Sequence, residues 1–277
     1  MKVVYFGSDV FLPCFEYFLA NHEVLALYTY HNDEDYIHEY TIIDVAAEHG
    51  IPVHYESISE EEIRRYATEE KVGLFFLAEY DRKIPVPEDI SEFKGINTHS
   101  SLLPDGRSYY PIECAMEREL SETGVTMHKI TNLLDSGDII AQAKVKIEDD
   151  MDSVDIYLKN AENARIMLEE IMADLEGSWE KGRPQGVVTE YWKRPKKELL
   201  TITHEMCVSD AVAMFRKYNS MTEVTIGGKV NFITSVMPGK AMISKDEMRL
   251  RHYLWLYRLK DGHIRVNVRE KNQENRK

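Results

Sequence analysis

The stretch KVVYFGSDVFLPCFEYFLANHEVLALYTY (residues 2–30) decides the fold. It opens with a short apolar run, 2–7, that ends in Gly, the pattern of a strand buried on both faces. Phe11, Phe15, Phe18 and Leu19 then recur at helical spacing, and a second apolar strand follows over 23–30. The cycle continues outward with a helix around 41–49, a strand at 51–54, a helix at 59–70 opened by Ser59, and a strand at 72–78. Alternating strands and helices predict a parallel sheet covered on both faces. The first turn, FGSDVF, lacks GxGxxG, which disfavours a dinucleotide dehydrogenase. No GxxxxGK(S/T) occurs, which disfavours P-loop chemistry.

Further along, the pattern changes. Residues 94–104 (KGINTHSSLLP) read as a strand running into a loop that ends at Pro104. Residues 124–130 and 138–147 alternate apolar and polar positions, as half-exposed strands do. One long helix is predicted over 152–177, with Val154, Leu158, Ala161, Leu168, Ile171 and Leu175 on one stripe and Gly177 as its stop. KGRPQG (181–186) reads as a loop leading to a tail that begins near 190–200. That tail carries a short helix at 207–217 and two hairpins, 222–234 turning at Gly227-Gly228 and 253–268 turning at Asp261-Gly262. The last eight residues are expected to fray. The predicted fold class is therefore α/β: a Rossmann-like, mostly parallel sheet over 1–190, then a small β-rich C-terminal domain over 191–277. Ligands of such a sheet bind at its C-terminal edge.

Composition narrows the function. The chain has 277 residues, 43% hydrophobic and 30% charged, enough to bury a substantial core. No apolar run approaches the roughly 20 residues of a membrane span, and none reads as a secretory leader. Cys14, Cys114 and Cys207 lie far apart without a CxxC pair, which argues against a disulfide scaffold or thiolate zinc site and suits a cytoplasmic location. The net charge of −14 is uneven, with +9 over residues 191–277 and −23 before them. An acidic body with a basic tail is not the pattern of a generic nucleic-acid binder. It is compatible with an anionic substrate, and equally with charge that serves solubility alone.

Three polar groups stand out in the middle of the chain. Asn97 and His99 are two apart, so on a strand both point the same way. Downstream, LLDSGD (133–138) is a turn bearing Asp135 and Asp138. Singly these residues suit ordinary polar surface or turn chemistry; together they suggest a hydrolase or transferase site. No His/Cys/Asp/Glu set has metal-ligand spacing, and His31, His38, His49 and His54 read as surface residues.

The stretch 97–142 as a whole resembles the folate-dependent formyltransferase family, whose members act on methionyl-tRNA, glycinamide ribonucleotide or amino-sugar nucleotides. The matching pieces are Asn97-x-His99, Ser101-Leu102-Leu103-Pro104, Arg107, Pro111, Gly124-Val125-Thr126 and Leu134 to Asp138. The likeness extends to Phe6-Gly7-Ser8, Phe11-Leu12-Pro13 and Leu74 to Pro85, and it covers residues 1–190 better than the tail. Two positions depart from the family pattern: its usual His-Pro-Ser is His99-Ser100-Ser101, and its usual Arg-Gly is Arg107-Ser108.

The resemblance implies transfer of a formyl group from 10-formyltetrahydrofolate to a primary amine without a metal. It implies Asn97 as oxyanion donor, His99 as proton or hydrogen-bond donor, and Asp135 as the group that orients and charge-stabilises the imidazole and helps move the amine proton, directly or through water. It places the pterin against the backbone of Ala78, Glu79, Tyr80 and Ile84 and of Leu133, Leu134 and Asp138. Ser8, Phe11, Ser101, Arg107 and Tyr109 are implied on the acceptor side. Tyr109 and Tyr110 either shape the acceptor mouth or pack on the sheet.

Among acceptors, a nucleotide-linked amino sugar is expected. Residues 31–70, which include the segment where the tRNA enzyme carries a basic loop, hold 12 acidic and 2 basic residues and should repel a phosphate backbone. His128 has an equivalent in many sugar-nucleotide members, though a solvent-facing strand residue is the alternative. Methionyl-tRNA, or an amino acid such as hydroxyornithine, is the next acceptor to weigh. A non-catalytic folate or nucleotide-binding module, a formate-releasing hydrolase and a homodimer paired through the tail's strand edges complete the alternatives.

Overall fold

The computed structural model describes residues 1–30, 41–186, 191–240 and 244–270. The first ten residues of the acidic 31–70 segment, with His31 and His38, lie outside these residues, as do the final seven positions of the chain. The chain forms two compact units: Met1–Asp149 with Asp155–Lys193, and Asp150–Val154 with Arg194–Lys277.

The first unit is built on a seven-stranded sheet. Its strands are β1 (Lys2–Gly7), β2 (Glu23–Tyr28), β3 (Val53–His54), β4 (Val72–Ala78), β5 (Gly95–His99), β6 (Glu122–Lys129) and β7 (Ile139–Lys146), in the order β3-β2-β1-β4-β5-β6-β7. The first five are parallel; β6 and β7 turn back antiparallel. Alternation along the strands fills both faces. Val3, Tyr5, Leu74 and Phe76 join one apolar cluster with Phe11, Phe15 and Phe18, while Val4, Phe6, Phe75 and Leu77 join another with Ile63 and Tyr66. Both faces are sealed, so these strands read as continuous apolar runs.

Helices α1 (Leu12–Asn21), α2 (Ile42–Glu48), α3 (Glu60–Thr68) and α4 (Pro111–Glu117) link the strands. Thr41 and Ser59 each close a capping box, with Asp44 and Glu62 respectively, which fixes where α2 and α3 begin. The long helix expected over 152–177 is in fact two, α5 (Ser153–Ala173) and α6 (Leu175–Glu180). The break falls at Asp174, whose carboxylate accepts the Gly177 N–H at 3.0 Å and caps the second helix. Gly177 is thus inside a helix and does not end one.

The second unit holds α7 (Val208–Tyr218) and a six-stranded sheet of β8 (Thr201–Ile202), β9 (Glu223–Ile226), β10 (Lys229–Gly239), β11 (Glu247–Arg249), β12 (Leu254–Arg258) and β13 (His263–Glu270). Its order is β11-β12-β13-β10-β9-β8. Gly227 and Gly228 both take positive φ, +59° and +76°, which suits a two-residue hairpin turn. The second hairpin closes through the Leu259 N–H donating to the Gly262 carbonyl. Among the described residues no helix is long and apolar enough to cross a membrane, and no group of three or more His, Cys, Asp or Glu is placed to hold a metal.

Candidate active site

Register brings the polar groups together at the C-terminal edge of the sheet. Because β5 and β6 are antiparallel, Asn97 faces His128 and His99 faces Thr126. Thr126, fully buried, pins the loop after β5: its hydroxyl donates to the Ser101 carbonyl at 2.6 Å and accepts the Leu103 N–H at 3.1 Å. Ser101 closes that loop by donating to the Asp105 carbonyl. Asp135 arrives from the β6–β7 loop with a left-handed backbone, φ +47°.

The resulting cluster is compact. Asn97 Nδ2 donates to Asp135 Oδ1 at 3.3 Å and meets His128 Nε2 at 3.0 Å. His128 Nδ1 donates to the Lys129 carbonyl, so Nε2 is the nitrogen turned inward, 3.7 Å from Asp135 Oδ1. His99 Nε2 donates to the Gly106 carbonyl at 2.8 Å, which leaves Nδ1 facing Asp135 Oδ2 at 3.9 Å. The Ser108 N–H donates to the same oxygen at 3.0 Å. Burial pushes the Asp135 carboxyl up, but the charge of His99, the close approach of His128 and the Ser108 N–H outweigh it and hold the group below the ordinary carboxylate range. Asp135 therefore stays ionised beside two imidazoles.

Gln185, which the sequence did not single out, holds this arrangement. Its Nε2 donates to the Asp135 and Gly137 carbonyls at 2.9 and 2.7 Å, and its Oε1 accepts from Arg107 Nη2 at 2.7 Å. Arg107 is thus a buried strut beneath the loop.

The other expected contacts divide. Ser8 is buried, its N–H reaches the Ala78 carbonyl, and its hydroxyl has no partner among the described residues. The main chain of 80–84 runs on beyond the end of β4, outside the strand ladder, and Leu133 is 71% exposed on the facing loop. Uncommitted backbone and an exposed apolar side chain fit a flat polar ring such as a pterin, and the orphaned Ser8 hydroxyl is open to a ligand, which the resemblance puts on the acceptor side. Ala78 and Ile84 bury their side chains in the core, so only their backbones can face a ligand. Leu134 is half-buried beside Asp135. Asp138 gives its carboxylate to Lys129 Nζ at 3.0 Å. Phe11 departs from expectation: its ring is wholly enclosed in the core, and it packs there instead of meeting an acceptor. Ser101 Oγ is spent on its own turn. Tyr109 does not pack on the sheet; it stands 56% exposed. Tyr80 is half-buried, its ring edge-on to Phe6.

Comparison with known proteins decides the family. The family model for formyl transferase matches residues 31–172, half of the chain. The chain belongs to the formyl transferase family. A curated family member, methionyl-tRNA formyltransferase from Sulfurihydrogenibium sp. (strain YO3AOP1), is 28% identical over 194 residues, covering 67% of this chain and 62% of that protein. The fold matches HypX from Aquifex aeolicus in complex with tetrahydrofolic acid, with a TM-score of 0.70 and 18% identity over 99% of this chain and 45% of HypX. It also matches an N-formyltransferase from Helicobacter canadensis in complex with folinic acid and dTDP-3-aminofucose, with a TM-score of 0.62 and 19% identity over 97% of this chain and 99% of the other. The chain thus spans less than two thirds of the curated relative and under half of HypX.

Membership of the formyl transferase family makes sense of one strained residue. Ser108 has φ +95°, a backbone that costs an L side chain roughly 1–2 kcal/mol, and it stands where the family pattern has Gly. Ser108→Gly keeps the N–H that Asp135 needs. Its melting temperature should rise, by up to about 1 kcal/mol of stability after the entropy of an extra glycine is counted. A fall in melting temperature would show that the Ser108 hydroxyl matters more than the strain.

Proposed function

We propose that this protein is an N-formyltransferase that acts on a primary amine, and that the amine belongs to a nucleotide-linked amino sugar. The observation that carries the reading is the convergence of Asn97, His99, His128 and Asp135 within one cluster at the sheet edge. 10-Formyltetrahydrofolate supplies the formyl group when bound between the 80–84 and 133–138 loops. Asn97 Nδ2 turns the looser of its two bonds, the one to Asp135, toward the carbonyl oxygen under attack. Losing such a donor typically costs about 10²–10³ in rate. His99 Nδ1 delivers a hydrogen bond or proton to the same oxygen, and the ionised Asp135 stabilises the imidazolium. Gln185, Arg107 and the Ser108 N–H fix Asp135 so that no reorganisation is needed during the step.

The acceptor reading is supported by the acidic 31–70 segment, which disfavours a phosphate backbone, and by Tyr109, exposed and able to stack on a base or sugar. The Helicobacter canadensis enzyme, of similar length, carries dTDP-3-aminofucose. The methionyl-tRNA formyltransferase relative favours the second reading, transfer to methionyl-tRNA. The deciding experiment presents the protein with 10-formyltetrahydrofolate and, separately, dTDP- and UDP-linked amino sugars, methionyl-tRNA or hydroxyornithine. Formyl amino sugar is the expected product. A folate analogue with the matching nucleotide should each stabilise the fold by about 2.7 kcal/mol at 100 times its dissociation constant. Transfer to methionyl-tRNA alone installs the second reading, transfer to hydroxyornithine alone an amino acid acceptor, and folate binding without any transfer a non-catalytic module.

A further inference from the structure

A second carboxylate stands at this site. The β4–β5 register pairs Leu77 with Asn97 and Ala78 with Thr98, so the chain leaving β4 carries Glu79 to the level of His99 and Ser100. Glu79 has a left-handed backbone, φ +53°, and its carbonyl accepts from the Tyr30 hydroxyl at 3.1 Å. Strained residues of this kind gather at functional sites; Glu79, Ser108, Tyr110 and Asp135 all have positive φ. Glu79 Oε1 accepts a hydrogen bond from Ser100 Oγ at 2.8 Å, and Ser100 is fully buried. Ser100 is one of the two departures from the family motif, and the proline it replaces has no hydroxyl to give. Among the described residues, Oε2 has no hydrogen-bond donor.

The charged groups that face this carboxyl are His99 on β5 and Asp135 in the β6–β7 loop. Burial pushes Glu79 up, and the negative charge of Asp135 adds to it; the Ser100 hydroxyl and His99 pull the other way without cancelling the rise. Asp135 is held low at the same site. Two carboxyls driven apart by their surroundings divide the work of acid–base chemistry. Asp135 remains the fixed anion beside His99 and is a poor proton acceptor.

We propose that Glu79 receives the ammonium form of the acceptor and takes its proton. The inference rests on the formyl-transfer reading of this site. In the step, one N–H bond of the acceptor breaks as an O–H bond forms on Glu79 Oε2. The freed lone pair of nitrogen bonds to the formyl carbon, and the bond from that carbon to the folate nitrogen breaks. A second proton passes from the attacking nitrogen to the leaving nitrogen, and Glu79 returns its proton to solvent.

The test compares wild type, Glu79→Gln and Ser100→Ala with dTDP-3-aminofucose, a basic amine, and with hydroxylamine, which is already neutral at neutral pH. Glu79→Gln should lower kcat/KM for the amino sugar by about 10²–10⁴ and remove the acidic limb of its pH profile. The loss with hydroxylamine should be at least about tenfold smaller, because that amine has no proton to give up before attack. Ser100→Ala withdraws the hydroxyl that lowers Glu79, so the acidic limb should move to higher pH. Equal losses with both amines, or an acidic limb unchanged in Glu79→Gln, overturn the assignment while leaving formyl transfer standing. Transfer to neither amine by the wild-type protein overturns the functional reading and Glu79's role together.

Discussion

Asp135→Asn should cut the rate of formyl transfer by about 10²–10⁴, the range for a positioned acid–base group. The substitution keeps the size of the side chain and removes its charge. Two consequences follow from the geometry. His99 Nδ1, 3.9 Å from Asp135 Oδ2, loses the anion that stabilises its protonated form. An amide nitrogen also enters a ring of donors, where Asn97 Nδ2 and the Ser108 N–H already point, so one side of the new amide faces a donor. Because His99 and Asp135 act as a unit, His99→Ala combined with Asp135→Asn should be little worse than the poorer single variant. Single-turnover rates on the three variants check this. Retention of more than about a tenth of the wild-type rate in Asp135→Asn would detach Asp135 from the chemistry.

The same substitution has a signature in stability. Asp135 titrates below its ordinary value of 3.8 in the folded protein. A carboxyl with a lowered folded value contributes stability that is complete above the unfolded value and is lost as pH falls through the folded one. The gap in melting temperature between wild type and Asp135→Asn should therefore hold near neutrality and narrow below about pH 4.

Much of this was legible in the chain itself, and the reasons are local. Strands buried on both faces spell themselves as apolar runs, and Asn97 and His99 share a face because strand side chains alternate. Thr41 and Ser59 announce their helices through Asp44 and Glu62, three residues on. Other features needed the third dimension. Gln185 reaches Asp135 across 50 residues, and Glu79 meets Ser100 across 21; no periodicity links either pair. Their only trace was that Ser100 and Ser108 broke the family's motif, and both prove to sit where the backbone or a hydroxyl contacts a carboxylate of the site. Phe11 misled because a residue in a strand-to-helix turn can face either a ligand or the core, and the core took it. Gly177 misled because a capping carboxylate one turn earlier decided where the helices divide.

Gly137→Ala should be the most damaging substitution of a residue that has no side chain to contribute. A methyl group there would lie 1.8 Å from the Lys129 carbonyl oxygen and 2.7 Å from its carbon. Both are backbone atoms, and they cannot step aside. The Lys129 carbonyl accepts from His128 Nδ1, and the Lys129 N–H donates to the Asp138 carbonyl at 2.9 Å. The loop must move instead, and with it the carbonyls of Asp135 and Gly137 that Gln185 holds. Forcing a group into filled space typically costs about 1–3 kcal/mol, several degrees of melting temperature for a unit of this size. The kinetic effect is expected to be larger, since a displacement of about 1 Å at a catalytic group can cost 10²-fold in rate. Gly186→Ala is the control, because its methyl group meets nothing within 4 Å; it should stay within about 0.5 kcal/mol of wild type. If Gly137→Ala matches that control in both melting temperature and rate, the loop does not set the position of Asp135. A variant that still binds a folate analogue with wild-type affinity but transfers slowly would place the damage at Asp135, because unchanged affinity means that both loops proposed to hold the pterin still do so.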